Sequence, residues 1–176
     1  MRSMADGVFD LLDIPAREIP FAWDAAESVI GARLPLDYKE LIDRTGAVIV
    51  DGWLCLFGPA GESNESNIAL VIDERERAWV KFRQSGIELP IRYFVEGSRL
   101  LAFAAVEANY FFWRARDGVA PEEWGVVIAD ADLEGWYDFD LSATECIYQV
   151  LVGDIDLDPF EDLFGGTEHR AEPFLG

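Results

Sequence analysis

The sequence predicts an α+β fold: a helical hairpin near the N-terminus, a central antiparallel sheet of about five to seven strands, and further helices packed on it. Three observations carry this. Apolar residues recur every three or four positions between Trp23 and Gly46 and again between Ile68 and Gly86, the rhythm of helices with one buried face. From Leu89 the period changes to two, the rhythm of half-buried strands. The breaks between those strands, "EGS", "EAN", "DGVAPEE" and "DLEG", are short, and connections of that length favour antiparallel neighbours.

Each element follows from local signals. Residues 1–21 read as an irregular lead-in, with a turn of helix at most in "GVFDLLD" ahead of Pro15. Residues 22–153 read as a single domain. In "AWDAAESVIGA", Trp23, Ala26 and Ile30 share a helical stripe that Gly31 ends. Leu34-Pro35 makes the turn, and Pro35 suits the first position of a new helix because its missing N–H would be unpaired there anyway. "LDYKELIDRTG" then places Tyr38, Leu41 and Ile42 inward with Leu34, and Lys39, Glu40 and Asp43 outward, before Gly46. The two apolar runs of "AVIVDGWLCLF" are parted by Asp51-Gly52, a strong hairpin signal. Cys55 is expected on the core side with Trp53 and Phe57. A third helix starts after a cap at Asn67 and turns Ile68, Val71, Ile72, Trp79 and Phe82 inward. "PIRYFV", "LLAFAAV", "NYFFWRA", "GVVIADA" and "WYDFDLS" are the successive strands. Ser142 and Glu145 have capping-box spacing, and the helix they open runs to Gly153. Residues 154–176 read as an acidic, glycine-rich tail.

Bulk composition narrows the function. The 176 residues are 51% hydrophobic and 13% aromatic, enough for a proper core and too much for a disordered chain. The formal net charge of −20 argues against direct binding of nucleic acid, whose phosphates would repel it. No run approaches the roughly 18 uninterrupted apolar residues of a membrane span, so no membrane contact is expected. The first residues do not have the layout of a secretion signal. Cys55 and Cys146, without CxxC spacing, read as reduced thiols of a cytoplasmic protein. The acid is unevenly spread. Asp117 to Glu168 holds fifteen Asp and Glu and neither Lys nor Arg, whereas the first 116 residues hold eighteen acids and thirteen of the fourteen basic side chains. Such a stretch either solubilises the surface or steers a basic partner.

Few residues qualify for chemistry. His169 is the sole histidine and falls in the tail beside Gly165-Gly166. The cysteines lack the neighbouring cation or base that activates a thiol. No glycine-rich phosphate loop is present. "DADLEG" from Asp130 opens like a calcium loop, but Leu141 stands where a bidentate Glu should close the coordination. No catalytic residue, metal ligand or cofactor is assigned. The candidate partner-binding residues are Asp130, Asp132, Glu134, Trp136, Asp138 and Asp140 in one run and Asp154, Asp156, Asp158, Glu161 and Asp162 in another. If "WYDFD" is a strand, Tyr137 and Phe139 point to the core and Trp136, Asp138 and Asp140 share the other face. Trp136 is then either an interface anchor with a charged rim or a residue covered by Phe160, Leu163 and Phe164 of the tail.

Taken in order, Trp23, Glu27, Gly31, "RLPLDYKELIDRTG" and "LCLFGP" resemble the N-terminal signature of the SUKH superfamily. The stretch from "FFWRARDGVAPEEWGVV" through "EGWYDFDLSATECIYQVLVG" is similar to the same family's Trp-led strands and closing helix. The resemblance spans residues 22–153. It implies an α+β domain that neutralises a cognate toxin, often a nuclease, by binding it, and it makes Trp23, Gly31, Leu34, Pro35, Tyr38 and Gly46 fold determinants rather than a site. The family also holds regulatory scaffolds, so an adaptor for an endogenous protein is the alternative expectation, ahead of a small acidic enzyme or a calcium binder.

Overall fold

The strands are β1 (Val48–Val50), β2 (Leu54–Leu56), β3 (Ser98–Val106), β4 (Asn109–Arg116), β5 (Gly125–Ala129), β6 (Trp136–Phe139) and β7 (Ala171–Pro173). The computed structural model describes residues 2–59 and 63–174, and among these all seven strands form one antiparallel sheet in the order β6-β5-β4-β3-β2-β1-β7. The first six are a meander, and β7 returns from the far end of the chain to pair with β1. The helices are α1 (Met4–Leu11), α2 (Asp24–Ile30), α3 (Leu36–Thr45), α4 (Ile68–Gln84) and α5 (Ala143–Leu151). The fold is α+β, as the periodicity predicts. No helix among the described residues is long and apolar enough to cross a membrane.

Alternation along β4 shows how the layers divide. Phe112 and Trp113 are adjacent and both fully buried, so they occupy opposite faces of the sheet. The Phe112 ring lies 5.5 Å from Trp79 of α4, and the Trp113 ring lies 5.0 Å from Tyr38 of α3. Helix α4 therefore covers one face, with α2 leaning on it, while α1, α3 and α5 cover the other. The corner between α2 and α3 is tied by Glu27, which accepts from the Leu34 N–H at 2.6 Å and pairs with Lys39 at 3.2 Å.

A single hydroxyl joins these layers. Residue Phe103 is the extra residue of a bulge in β3, where the register slips between Ala102 and Ala104. The bulge leaves its carbonyl out of the β3–β4 ladder, and that oxygen accepts from the Phe57 N–H at 3.1 Å. The Tyr38 hydroxyl bridges the carbonyls of Phe57 and Phe103, at 2.6 and 2.8 Å. Tyr38 is completely buried, and burial pushes its hydroxyl well above the usual tyrosine range.

Several expectations change. The lead-in is not irregular: α1 occupies much of it, capped by a reciprocal Ser3–Asp6 box, with Ala5, Val8 and Leu11 buried against the core. The periodic pattern was too short to weigh as a helix until its partners α3 and α5 were in place. "PIRYFV" forms a 3-10 turn at Ile91–Tyr93 instead of a strand, since Pro90 starts a tight turn that drops Tyr93 into the core. Pro35 sits at the N-cap of α3, one position ahead of the expected site. At Ser142 only the forward half of the box is made, Ser142 Oγ accepting from the Glu145 N–H. The Asp51-Gly52 turn forms with both residues at positive φ, but Trp53 is added to the loop, since Val50 pairs with Leu54. Leu54 and Leu56 are thereby the buried face of β2, while Cys55 is half-buried and Trp53 exposed. The tail is structured: residues 158–160 form a 3-10 turn with Phe160 buried, and 171–173 form β7.

Tyr38→Phe removes the donor shared by the two carbonyls and leaves that of Phe57 without a partner. It should lower unfolding free energy by about 1–3 kcal/mol in urea denaturation, with an unchanged slope.

Candidate functional site

The first acidic run begins in a loop that binds itself. Asp130 accepts from the N–H groups of Glu134 (3.0 Å) and Gly135 (2.8 Å), and the Asn109 side chain accepts from the Ala131 N–H at 2.9 Å. A Cβ at Gly135 would stand 2.6 Å from Asp130 Oδ2 and 2.9 Å from the Tyr137 hydroxyl, so a larger residue there would push both side chains aside. This geometry accounts for "DADLEG" without a cation. Asp130 is a loop builder, and the outward carboxylates are those of Asp132 and Glu134, both exposed.

Trp136 is half-buried, but not beneath the tail. Its ring stacks on Tyr93 at 5.4 Å and lies 6.0 Å from Trp79, and its Nε1–H donates to the Leu133 carbonyl at 2.9 Å. The tail residues Phe160 and Phe164 pack together on the opposite face, where Phe160 lies 5.8 Å from Phe111. Tyr137 and Phe139 are half-buried on that face as expected.

Asp138 departs furthest from its expected role. It accepts a short hydrogen bond from the buried Tyr93 hydroxyl and pairs with Arg114 at 3.2 Å and Arg92 at 3.7 Å. Both guanidinium groups also lie over the Tyr93 ring, at 4.4 Å for Arg92 and 5.0 Å for Arg114. Burial, and then the bond to Asp138, push the Tyr93 hydroxyl up. Asp138 is a neutralised structural hub. No sequence signal marks it, because Arg92 and Arg114 reach it only through the turn at residues 91–93 and the strand register. Asp140 is exposed and forms no ion pair among the described residues.

The second run alternates sides. Asp154, Asp156, Asp158, Glu161 and Asp162 are exposed, while Ile155 and Phe160 are buried between them. Asp156 is tied locally, accepting from the Asp162 N–H at 3.0 Å. The two runs converge. In a meander, the β1–β2, β3–β4 and β5–β6 turns open on the same end, which collects Glu107, Asp132 and Glu134. Helix α5 runs back towards that end, since Phe160 beyond it meets Phe111 near the start of β4. The acidic segment after α5 therefore lies by the turn end, whereas Asp138 and Asp140 run to the other end beside Arg114 and Arg116.

His169 belongs to the fold. It is buried, and its Nδ1 lies 2.6 Å from Asp51 Oδ2 while its Nε2 faces the Gly166 carbonyl at 3.3 Å. Asp51 also accepts from the Arg170 N–H at 2.9 Å, and the backbone of His169 bonds to Leu11 and Asp13. An open cleft of about 570 Å³ lies alongside, lined by Asp10, Asp13, Asp51 and Glu168, but both ring nitrogens are engaged in clasping the tail to the hairpin turn. No three His, Cys, Asp or Glu side chains converge as metal ligands among the described residues. The thiols are protected: burial raises Cys146 to about 12, and burial with the nearby Glu65 charge raises Cys55 to about 11.

Comparison of the chain with protein-family models, with curated proteins and with solved structures gives no match.

Asp138→Lys should destabilise the fold by about 1–3 kcal/mol, because it takes the acceptor from the buried Tyr93 hydroxyl and from Arg114 and sets a third cation beside Arg92 and Arg114, whereas Asp140→Lys should leave the melting temperature unchanged. Thermal unfolding of the two variants distinguishes them. The thiols hold their protons to higher pH folded than unfolded. Their contribution to stability is therefore complete below the ordinary thiol value of about 8.5 and declines as pH rises from there towards 11. Alkylation at pH 8 should be slow in native protein and fast in urea.

Proposed function

We propose that the protein is a non-enzymatic binding domain: a cytoplasmic immunity protein of the SUKH kind that neutralises a basic toxin by tight contact. The observation that carries this reading is the state of the carboxylates at the turn end of the sheet. Asp132, Glu134, Asp154, Asp158, Glu161 and Asp162 form no ion pair among the described residues. The ion pairs that do form are concentrated among the acids of the first half, as in Asp6–Arg44, Glu27–Lys39 and Glu76–Arg99. A rigid end where carboxylates outnumber the cations, Arg75 and Arg170, costs folding some self-repulsion, and it speeds the encounter with an oppositely charged protein. A nuclease toxin must present a positive surface to hold phosphates, and fixed carboxylates can occupy that surface in their place. The resemblance in residues 22–153 supports the same reading, and the geometry of His169 offers no competing chemistry.

The test is capture of the partner from the native host at low salt, followed by association kinetics with the purified pair. A toxin supports the reading, and a housekeeping protein would make the domain an adaptor instead. The on-rate should drop steeply as salt rises past about 0.1–0.2 M, where the Debye length shortens to about 8–10 Å. Combined Asp154→Lys, Asp158→Lys and Glu161→Lys changes should slow association while leaving the melting temperature unchanged. An on-rate indifferent to both changes would rule out the acidic end.

A further inference from the structure

The two edges of the sheet differ. At β7 the hydrogen-bonded pairs with β1 include Asp51–Arg170 and Ala47–Phe174, so Ala171 and Pro173 turn their backbone groups outward. Pro173 has no N–H to offer there, and the parallel bridge between Leu12 and His169 covers the start of the strand. That edge is blunted, as sheets commonly protect their ends.

At β6 nothing comparable is found. The Asp130 N–H donates to the Gly135 carbonyl at 3.0 Å, which sets the phase of the β5–β6 ladder. Counting along the register, Tyr137 and Phe139 bond to β5, while Trp136 and Asp138 direct their N–H and C=O groups away from the sheet. Among the described residues nothing in the chain bonds to those four groups. The strand contains no proline, glycine or lysine that would discourage pairing. Its side chains are fixed from behind by Tyr93, Trp79 and Arg114, so the edge is already ordered.

We propose that the β6 edge binds an extended segment of the partner protein as an eighth strand, and that this segment carries two basic residues about six positions apart. The inference rests on the reading of the domain as a binder of a basic protein. Main-chain bonds to Trp136 and Asp138 supply the pairing, as in other strand-addition complexes. Charge sets the identity of the occupant. Glu134 and Asp140 flank the edge, six residues apart and roughly 20 Å in an extended chain, and neither forms an ion pair among the described residues. Asp138 between them is already matched by Arg92 and Arg114, so the middle of the incoming strand should be uncharged. A second copy of this chain is the wrong occupant, since an antiparallel β6–β6 pair would set carboxylates against carboxylates between two molecules of net charge −20 each.

The probe is a capped nine-residue peptide of alternating valine and threonine with lysine at positions 2 and 8, titrated into the full-length, nitrogen-15-labelled protein. Before addition, the amides of Trp136 and Asp138 should exchange with solvent faster than those of Tyr137 and Phe139. The peptide should shift and protect Trp136 and Asp138 in a saturable way. N-methylation of one peptide amide facing β6 should weaken binding roughly fivefold to tenfold, the loss of one hydrogen bond. Replacing both lysines by glutamate should abolish it. The proposal is overturned if the two amides are unmoved by the peptide, if the N-methylated peptide binds equally well, or if sedimentation shows the protein pairing with itself through this edge. This outcome is separable from the salt experiment: peptide binding without a salt-sensitive partner would leave the edge standing and remove the proposed toxin, and the converse would leave the acidic end and remove the strand.

Discussion

The Tyr38 hydroxyl is the constraint on which the rest of the protein depends. A bulge in the longest strand turns the Phe103 carbonyl towards β2, where it accepts from the Phe57 N–H and keeps a lone pair for a second donor. Tyr38 meets it from the helix side and takes in the Phe57 carbonyl as well, so α3, the end of β2 and the middle of β3 are referred to one oxygen atom. Its ring packs edge-on against Trp113 and Phe103, whose own rings lie 4.8 Å apart. Offset and edge-on aromatic contacts of this kind resist sliding as well as separation. The sheet is thereby held at a fixed height under the helices, and the turns at its end are held with it.

That rigidity gives the electrostatics their meaning. Charges on a mobile tail would average their field over many positions. Here the acidic segment after α5 is pinned by Ile155 and Phe160, and the stretch before β7 is clasped through His169 and Asp51. The loop at 130–135 is closed by its own aspartate. Carboxylates that look alike in the sequence thus divide by role. Asp130, Asp138 and Asp156 satisfy donors within the fold, and Asp132, Glu134 and Asp140 remain for solvent or a partner. The run without a basic residue is consequently less uniform in space than along the chain, because Arg92 and Arg114 are brought to it from outside.

The aromatic layer under α4 links the two halves of this division. Trp79 contacts Phe82, Phe94, Phe112 and Trp136, and Trp136 in turn stacks on Tyr93. The same Tyr93 donates to Asp138. A change in the packing beneath α4 is therefore felt at the edge strand, so the edge is a continuation of the core and not an appendage to it.

The sequence by itself determined the class of fold, most element boundaries and the sign of the surface. Helix stripes, the Asp51-Gly52 turn, the Asn67 cap and the period-two strands are local signals, each complete within a dozen residues. Tertiary structure decided what depends on distant partners. Helix α1 is short and stands only against α3 and α5. Strand β7 has three residues and exists because β1 offers it an edge. The face of β2 that is buried was set by one extra residue in its turn, which shifts the alternation, and Asp138 became a hub through register alone. A short segment cannot carry the identity of the surface it will meet, so these features become visible only when the chain has closed.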